Sequence, residues 1–141
     1  MNILPASPEH FIKAIALLDK NNLPVSDIHS GTQLFVLVED NNVIGTVPAE
    51  YNFNDALLRS LSVHEEKRHK GLGIVLVNFI EDYLQKQGVQ NIYLLTTTAT
   101  GFFGKRGYVT INRNEVPKFI KQTTEFSTVC PSTATLMKKE L

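Results

Sequence analysis

The chain has 141 residues, and its 14 Lys and Arg balance its 14 Asp and Glu, so no global field draws it to nucleic acid or an anionic membrane. That length suits one ordinary domain, which buries about two thirds of the surface its unfolded form exposes. A lone cysteine, Cys130, excludes an internal disulfide and cannot by itself build a structural zinc site, so it reads as a small buried residue.

The N-terminus shows no basic region followed by an apolar core, and no window approaches the roughly 20 apolar residues of a membrane span, so the cytoplasm is the expected location. His10, His29, His64 and His69 form no i, i+4 pair, and no metal is expected.

In chain order, a short start at "NIL" precedes Ser7 and Pro8, a hydroxyl cap followed by a proline at the first helical position. Phe11, Ala14, Ile15 and Leu18 then recur at helical spacing. "NNLPVSDIHSG" is polar and turn-rich, either a cover over a site or an inert connector. "QLFVLVED" and "VIGTVPAEY" flank a polar turn at Asp40, Asn41 and Asn42, which predicts an antiparallel hairpin. "ALLRSLSV" is nearly continuous in apolar character and predicts a strand covered on both faces.

Leu72, Leu76, Phe79, Ile80 and Tyr83 lie on one stripe of a long helix that Gly88 ends. "NIYLLTTT" predicts another buried strand, "ATGFFGKRG" a short helix closed by Gly107, and "YVTINR" a further strand. "VPKFIKQTTEF" opens on proline as a helix, and "STATLMKKE" alternates as a last strand. The pattern is of the mixed α/β (α+β) class, with a right-handed parallel crossover from Ala56 to Thr98.

Between the "ALLRSLSV" strand and the long helix stands "RHKGLG", Arg68 to Gly73. A helix start directs unpaired N–H groups and partial positive charge outward, and glycine lets an anion approach. Amides from His69 to Ile74, by way of Lys70, Gly71, Leu72 and Gly73, are therefore candidates to wrap a phosphate, with Arg68 and Lys70 adding charge. The string of a P-loop is missing. A dinucleotide site would need a third glycine where Leu76 stands and an acid where Thr96, Thr97 and Thr98 stand.

Arg68-x-x-Gly71-x-Gly73 after "LSV" resembles the acetyl-CoA diphosphate loop of the GNAT N-acetyltransferase superfamily. "FFGKRGY" resembles that superfamily's stretch after its fifth strand, and the order of elements agrees over nearly the whole chain. More narrowly, "LLRSLSV", "IYLLTTTATGFFGKRGY" and "FSTVCPSTATLMKKEL" resemble arsenic-resistance N-acetyltransferases, and "LLTTTA" is also similar to amino-acid N-acetyltransferases.

The resemblance implies a mixed twisted sheet of about six or seven strands, with helices on both faces and a splay between the fourth and fifth strands. It implies acetyl-CoA as donor, with the pantetheine arm pairing backbone from Leu61 through Ser62 to Val63. The Val63 amide would then polarise the thioester carbonyl, and Ala99, Phe102 and Phe103 would flank the thiol end. It further implies a small-molecule amine as acceptor, amino acid or amino-acid-like toxic compound, and a homodimer as one option.

Many members of that superfamily carry a glutamate base and a tyrosine acid where this chain has Leu57 and Phe103. An α-amine has a pKa of about 8, so roughly a tenth is neutral at pH 7, and a thiol of pKa about 8.5 leaves without a dedicated acid. Glu50, ending the "VIGTVPAEY" run, is the remaining acidic candidate, either a base or a solvated edge carboxylate. Arg59, inside an apolar run, needs an internal carboxylate or a substrate acid group. Arg113 is a second carboxylate clamp or a surface residue, and Tyr108 a weak substitute acid. One thiol is too few to hold trivalent arsenic directly. The loss of both proton-transfer groups leaves a second option, a CoA-binding sensor with little turnover.

Overall fold

Strands β2 (Gln33–Glu39) and β3 (Asn42–Tyr51) form the hairpin that the polar turn predicts. Its two connecting residues, Asp40 and Asn41, both take positive φ, 51° and 64°. That pair of left-handed residues matches the right-handed twist of the strands, and Asp and Asn adopt it at low cost. The computed structural model describes residues 2–21, 32–59, 61–68, 70–121 and 134–141. The stretch 22–31, His69 and all of "QTTEFSTVCPST", Cys130 included, therefore lie outside the described residues.

β1 (Asn2–Pro5) pairs antiparallel with β2 at one edge. On the other side of β3 comes β4 (Asp55–Leu58), antiparallel to β3 and parallel to β6 (Asn91–Thr96). β8 (Thr135–Glu140) is antiparallel to β6, and β7 (Val109–Thr110) lies antiparallel to β8 at the far edge. The sheet order is β1-β2-β3-β4-β6-β8-β7, with β5 (Ser62–Val63) pairing β3 off that path.

The eighth strand comes from a correction to the sequence reading. "ALLRSLSV" is not one strand but two, β4 and β5, both laid on β3. From Ala49↔Leu58 to Thr46↔Ser62, β3 advances three residues while its partner advances four. One extra residue makes a β-bulge, which bends the strand away from its neighbours. "YVTINR" likewise shrinks to two paired residues, both exposed.

Helix α1 (Pro8–Lys20) begins as expected, with Ser7 Oγ accepting from the His10 amide at 3.1 Å. Its buried residues are Ala14, Leu17 and Leu18, of which Ala14 and Leu17 pack with Leu34, Val36 and Val43. Leu17 takes the place expected for Ile15. Helix α2 (Leu72–Lys86) connects β4 and β5 to β6 and buries Leu72, Leu76, Val77, Ile80 and Leu84 against Phe35, Ala56, Leu58, Ile92 and Leu94. Leu57, Tyr93 and Leu136 pack instead with Ile120 of α4 (Lys118–Lys121). Because alternate strand residues point to opposite faces, α2 covers one face of the sheet, and α1 and α4 the other.

Helix α3 (Thr100–Gly104) follows β6, and Gly107, at φ 94°, turns the chain into β7. No helix among the described residues is long and apolar enough to cross a membrane. Among them, too, no group of three or more His, Cys, Asp or Glu converges as a metal site.

Candidate functional site

After β5 the chain makes a 3-10 turn, Glu65–Lys67, and Arg68 is extended before Gly71 caps α2. Gly71 has φ 77°, and a Cβ there would meet nothing within 4 Å, so glycine is required by the backbone and not by crowding. It supplies no side-chain cap. The positive end of a four-turn helix thus has no acidic residue in its own first turn.

Gly73 sits where space is short, with an ordinary backbone. A Cβ there would lie 3.3 Å from Phe102 Cζ, so α3 is seated directly on the first turn of α2. Two stretches separated by about thirty residues of chain, "RHKGLG" and "TGFF", therefore meet. The Arg106 guanidinium lies over the Phe102 ring, 4.9 Å from its centroid. Phe103 is core, edge-on to Phe102 at 5.1 Å and to Tyr108 at 5.4 Å. Ala99 is partly buried beside them, and its amide donates to Thr96 Oγ1 at 2.9 Å. Leu72 turns its side chain into the core, which leaves only its backbone for a ligand, whereas Ile74 and Lys70 are exposed.

The parallel ladder of β4 with β6 ends at Leu58↔Leu94. Past that point β6 continues with β8 to Thr96↔Thr135, while the other chain bends through the bulge to β5. Among the described residues no pairing joins the two strands beyond Leu58 and Leu94. The His64 amide donates to the Ile44 carbonyl at 2.7 Å. Alternate residues of an antiparallel strand point their polar groups to opposite sides, so Val63 turns its N–H and C=O away from β3, toward this gap. Its carbonyl accepts from Arg68 Nε at 3.2 Å and Asn21 Nδ2 at 3.4 Å. Leu61 is partly buried and Ser62 buried, with Ser62 Oγ accepting from Asn21 Nδ2.

Arg59, 1% exposed, donates to Glu50 Oε1 at 2.6 Å, and Glu50 is 16% exposed. Of the two partners open to this arginine on sequence grounds, the internal carboxylate is present. Glu50 stands opposite Leu57 in the β3–β4 ladder, one strand over from the position where the resemblance puts a base. Arg113 Nη2 donates to the Ala134 carbonyl at 2.8 Å, bracing the start of β8.

Tyr108 is committed elsewhere: it is buried, and its hydroxyl donates to Glu81 Oε2 at 2.9 Å, while Glu81 Oε1 pairs with Lys139 Nζ at 2.9 Å. Burial, and then the Glu81 charge, push its pKa far above the ordinary tyrosine value. That removes Tyr108 as a substitute acid. Asn21 is the residue that sequence reasoning missed. It belongs to no motif, and its only signal is its place as the C-cap of α1.

The pattern of an acetyltransferase (GNAT) domain matches residues 30–110. An uncharacterized N-acetyltransferase of Chlorobaculum tepidum is 39% identical over 87 residues, 61% of this chain and 56% of that protein. An amino-acid acetyltransferase of Pseudomonas fluorescens is 31% identical over 86 residues, 59% of this chain but 20% of that protein, so the chain spans only part of the relatives it matches. A Mycobacterium tuberculosis protein crystallised with CoA superposes with a TM-score of 0.83 over all of this chain and 99% of its own, at 17% identity. With the domain pattern covering more than half of its residues, the chain belongs to the GNAT acetyltransferase family.

Proposed function

We propose that the chain transfers the acetyl group of acetyl-CoA to the amine of a small molecule, an amino acid or an amino-acid-like compound. The observation that carries this reading is the juxtaposition of an uncapped, acid-free helix start with a strand gap into which the Val63 amide points. The residues present fit the donor. The backbone of 70–74 would hold its diphosphate, with Lys70 in the mouth. Leu61, Ser62 and Val63 offer the pantetheine arm a strand edge that no other described strand pairs, and Ala99 and Phe102 an apolar wall. Acetyl-CoA supplies an acetyl group activated as a thioester.

The Val63 N–H would stabilise negative charge developing on the thioester carbonyl oxygen. Holding amine and thioester together lowers the barrier further by removing the entropy of encounter. Glu50, the cross-strand neighbour of Leu57 and the partner of Arg59, would accept the amine proton through water. The leaving thiolate needs no dedicated acid, consistent with Phe103 and a committed Tyr108. Likeness to an amino-acid acetyltransferase supports an amino-acid acceptor, and the arsenic-resistance resemblance of "LLRSLSV" adds amino-acid-like arsenicals as test acceptors.

The test is thiol release from acetyl-CoA across a panel of amino acids, aminoglycosides and amino-acid arsenicals. Turnover on at least one amine is expected. Tight CoA binding without turnover on any of them would favour a second reading, a CoA sensor, for which the apolar Leu57 and Phe103 are the supporting observation.

A further inference from the structure

Helix α1 ends at Asn21, and its carboxamide is directed at β5. Nδ2 donates to Ser62 Oγ and to the Val63 carbonyl, while Oδ1 accepts from Arg68 Nη2 at 2.9 Å. Arg68 Nε donates to the same carbonyl at 3.2 Å. Three segments, the end of α1, β5 and the start of the phosphate loop, thus close on one stretch of backbone. The bonds to Ser62 Oγ and Val63 O straddle the peptide unit that carries the Val63 N–H.

Beyond its pairing with β3, no other strand among the described residues holds that peptide. β5 is two residues long, follows a bulge, and among the described residues has a ladder on one side alone. Charge arithmetic by itself would make Arg68 a phosphate ligand, yet two of its three nitrogens are turned back to Val63 and Asn21.

We propose that Asn21 and Arg68 are positioning residues that fix the Ser62–Val63 peptide so that the Val63 N–H is aimed into the gap, Arg68 serving as a strut and not as a diphosphate ligand. This rests on the acetyl-transfer reading above. A hydrogen-bond donor stabilises developing charge in proportion to its preorganisation. Loosening the peptide should therefore slow turnover more than it weakens donor binding.

The experiment compares the native chain with Asn21→Ala, Asn21→Asp, Arg68→Ala and Arg68→Lys. Two donors are used, acetyl-CoA and acetyl-pantetheine, the second lacking the diphosphate. With the best amine of the panel, Asn21→Ala and Arg68→Ala should lower kcat about tenfold with both donors, part of the 10²–10³-fold that such a donor is worth. The CoA dissociation constant, by calorimetry, should stay within about threefold at an unchanged binding stoichiometry, whereas loss of folded protein would lower the stoichiometry along with the apparent kcat.

Asn21→Asp accepts from Arg68 but cannot donate to Ser62 or Val63, and should be as slow as Asn21→Ala. Arg68→Lys, the milder change, should fall between native and Arg68→Ala. The proposal is overturned if Arg68→Ala loses CoA affinity tenfold yet matches the native rate with acetyl-pantetheine, the behaviour of a phosphate ligand, or if Asn21→Ala keeps the native kcat. Failure of the underlying reading shows itself separately, as a native chain that acetylates no amine of the panel, whether or not it binds CoA.

Discussion

Arg59 interrupts an otherwise largely apolar run, and at 1% exposure its charge is met by Glu50 at 2.6 Å. Removing one partner of such a pair leaves the other's charge buried, typically a loss of about 3 kcal/mol or more. Glu50→Gln is expected to destabilise the fold in a denaturant titration and, with Glu50 as the proposed base, to lower kcat about tenfold or more. Arg59→Met should be milder in stability, since Glu50 at 16% exposure can turn toward water.

A second pair bears on pH. The Tyr83 and Tyr51 hydroxyls are 3.0 Å apart, and the hydrogen bond with Tyr51, then burial, raises the Tyr83 pKa from 10.0 to about 12. The folded chain thus keeps a proton that the unfolded chain loses above pH 10, so stability falls as pH rises from 10 toward 12. Denaturant midpoints across that range should decline, and less steeply in Tyr83→Phe.

At the scale of elements, the joint between β5 and α2 depends on two glycines for separate reasons. Gly71→Ala forces an L side chain to φ 77° in otherwise open space, costing about 1–2 kcal/mol and roughly 3–6 °C in Tm. Asn at that position should cost less, because it tolerates the left-handed region. Gly73→Ala should cost about 1 kcal/mol by pushing Phe102 back a few tenths of an ångström, and in addition weaken CoA binding by shifting α3. The "RHKGLG" joint was legible because glycine at a strand-to-helix turn has few other uses. The partner it is seated on was not, since Phe102 lies some thirty residues along and reads equally well as core.

At the scale of the whole molecule, the candidate site is assembled from α1, β3, β5, the start of α2 and α3, so a ligand bound there ties together both faces of the sheet. CoA at about 100 times its dissociation constant should add about 2.7 kcal/mol to stability. In a melting experiment that corresponds to roughly 5–10 °C. A nucleotide lacking pantetheine, compared at equal concentration, should shift Tm less, as it reaches neither Val63 nor the wall at Ala99 and Phe102.

By itself the sequence determined the hairpin, the capped first helix, the parallel strand–helix–strand unit and the glycine turn that opens α2. Each of these is written in residues a few positions apart: Asp40 with Asn41, Ser7 with Pro8, the stripe from Leu72 to Tyr83, Gly71 with Gly73. Only the tertiary structure decided that "ALLRSLSV" breaks at a bulge, that Arg59 answers Glu50, that Tyr108 is bound to Glu81, and that Asn21 reaches β5. Those are pairings across nine to forty-odd residues of chain, and hydrogen bonds and ion pairs of that reach leave no periodicity for a local pattern to display.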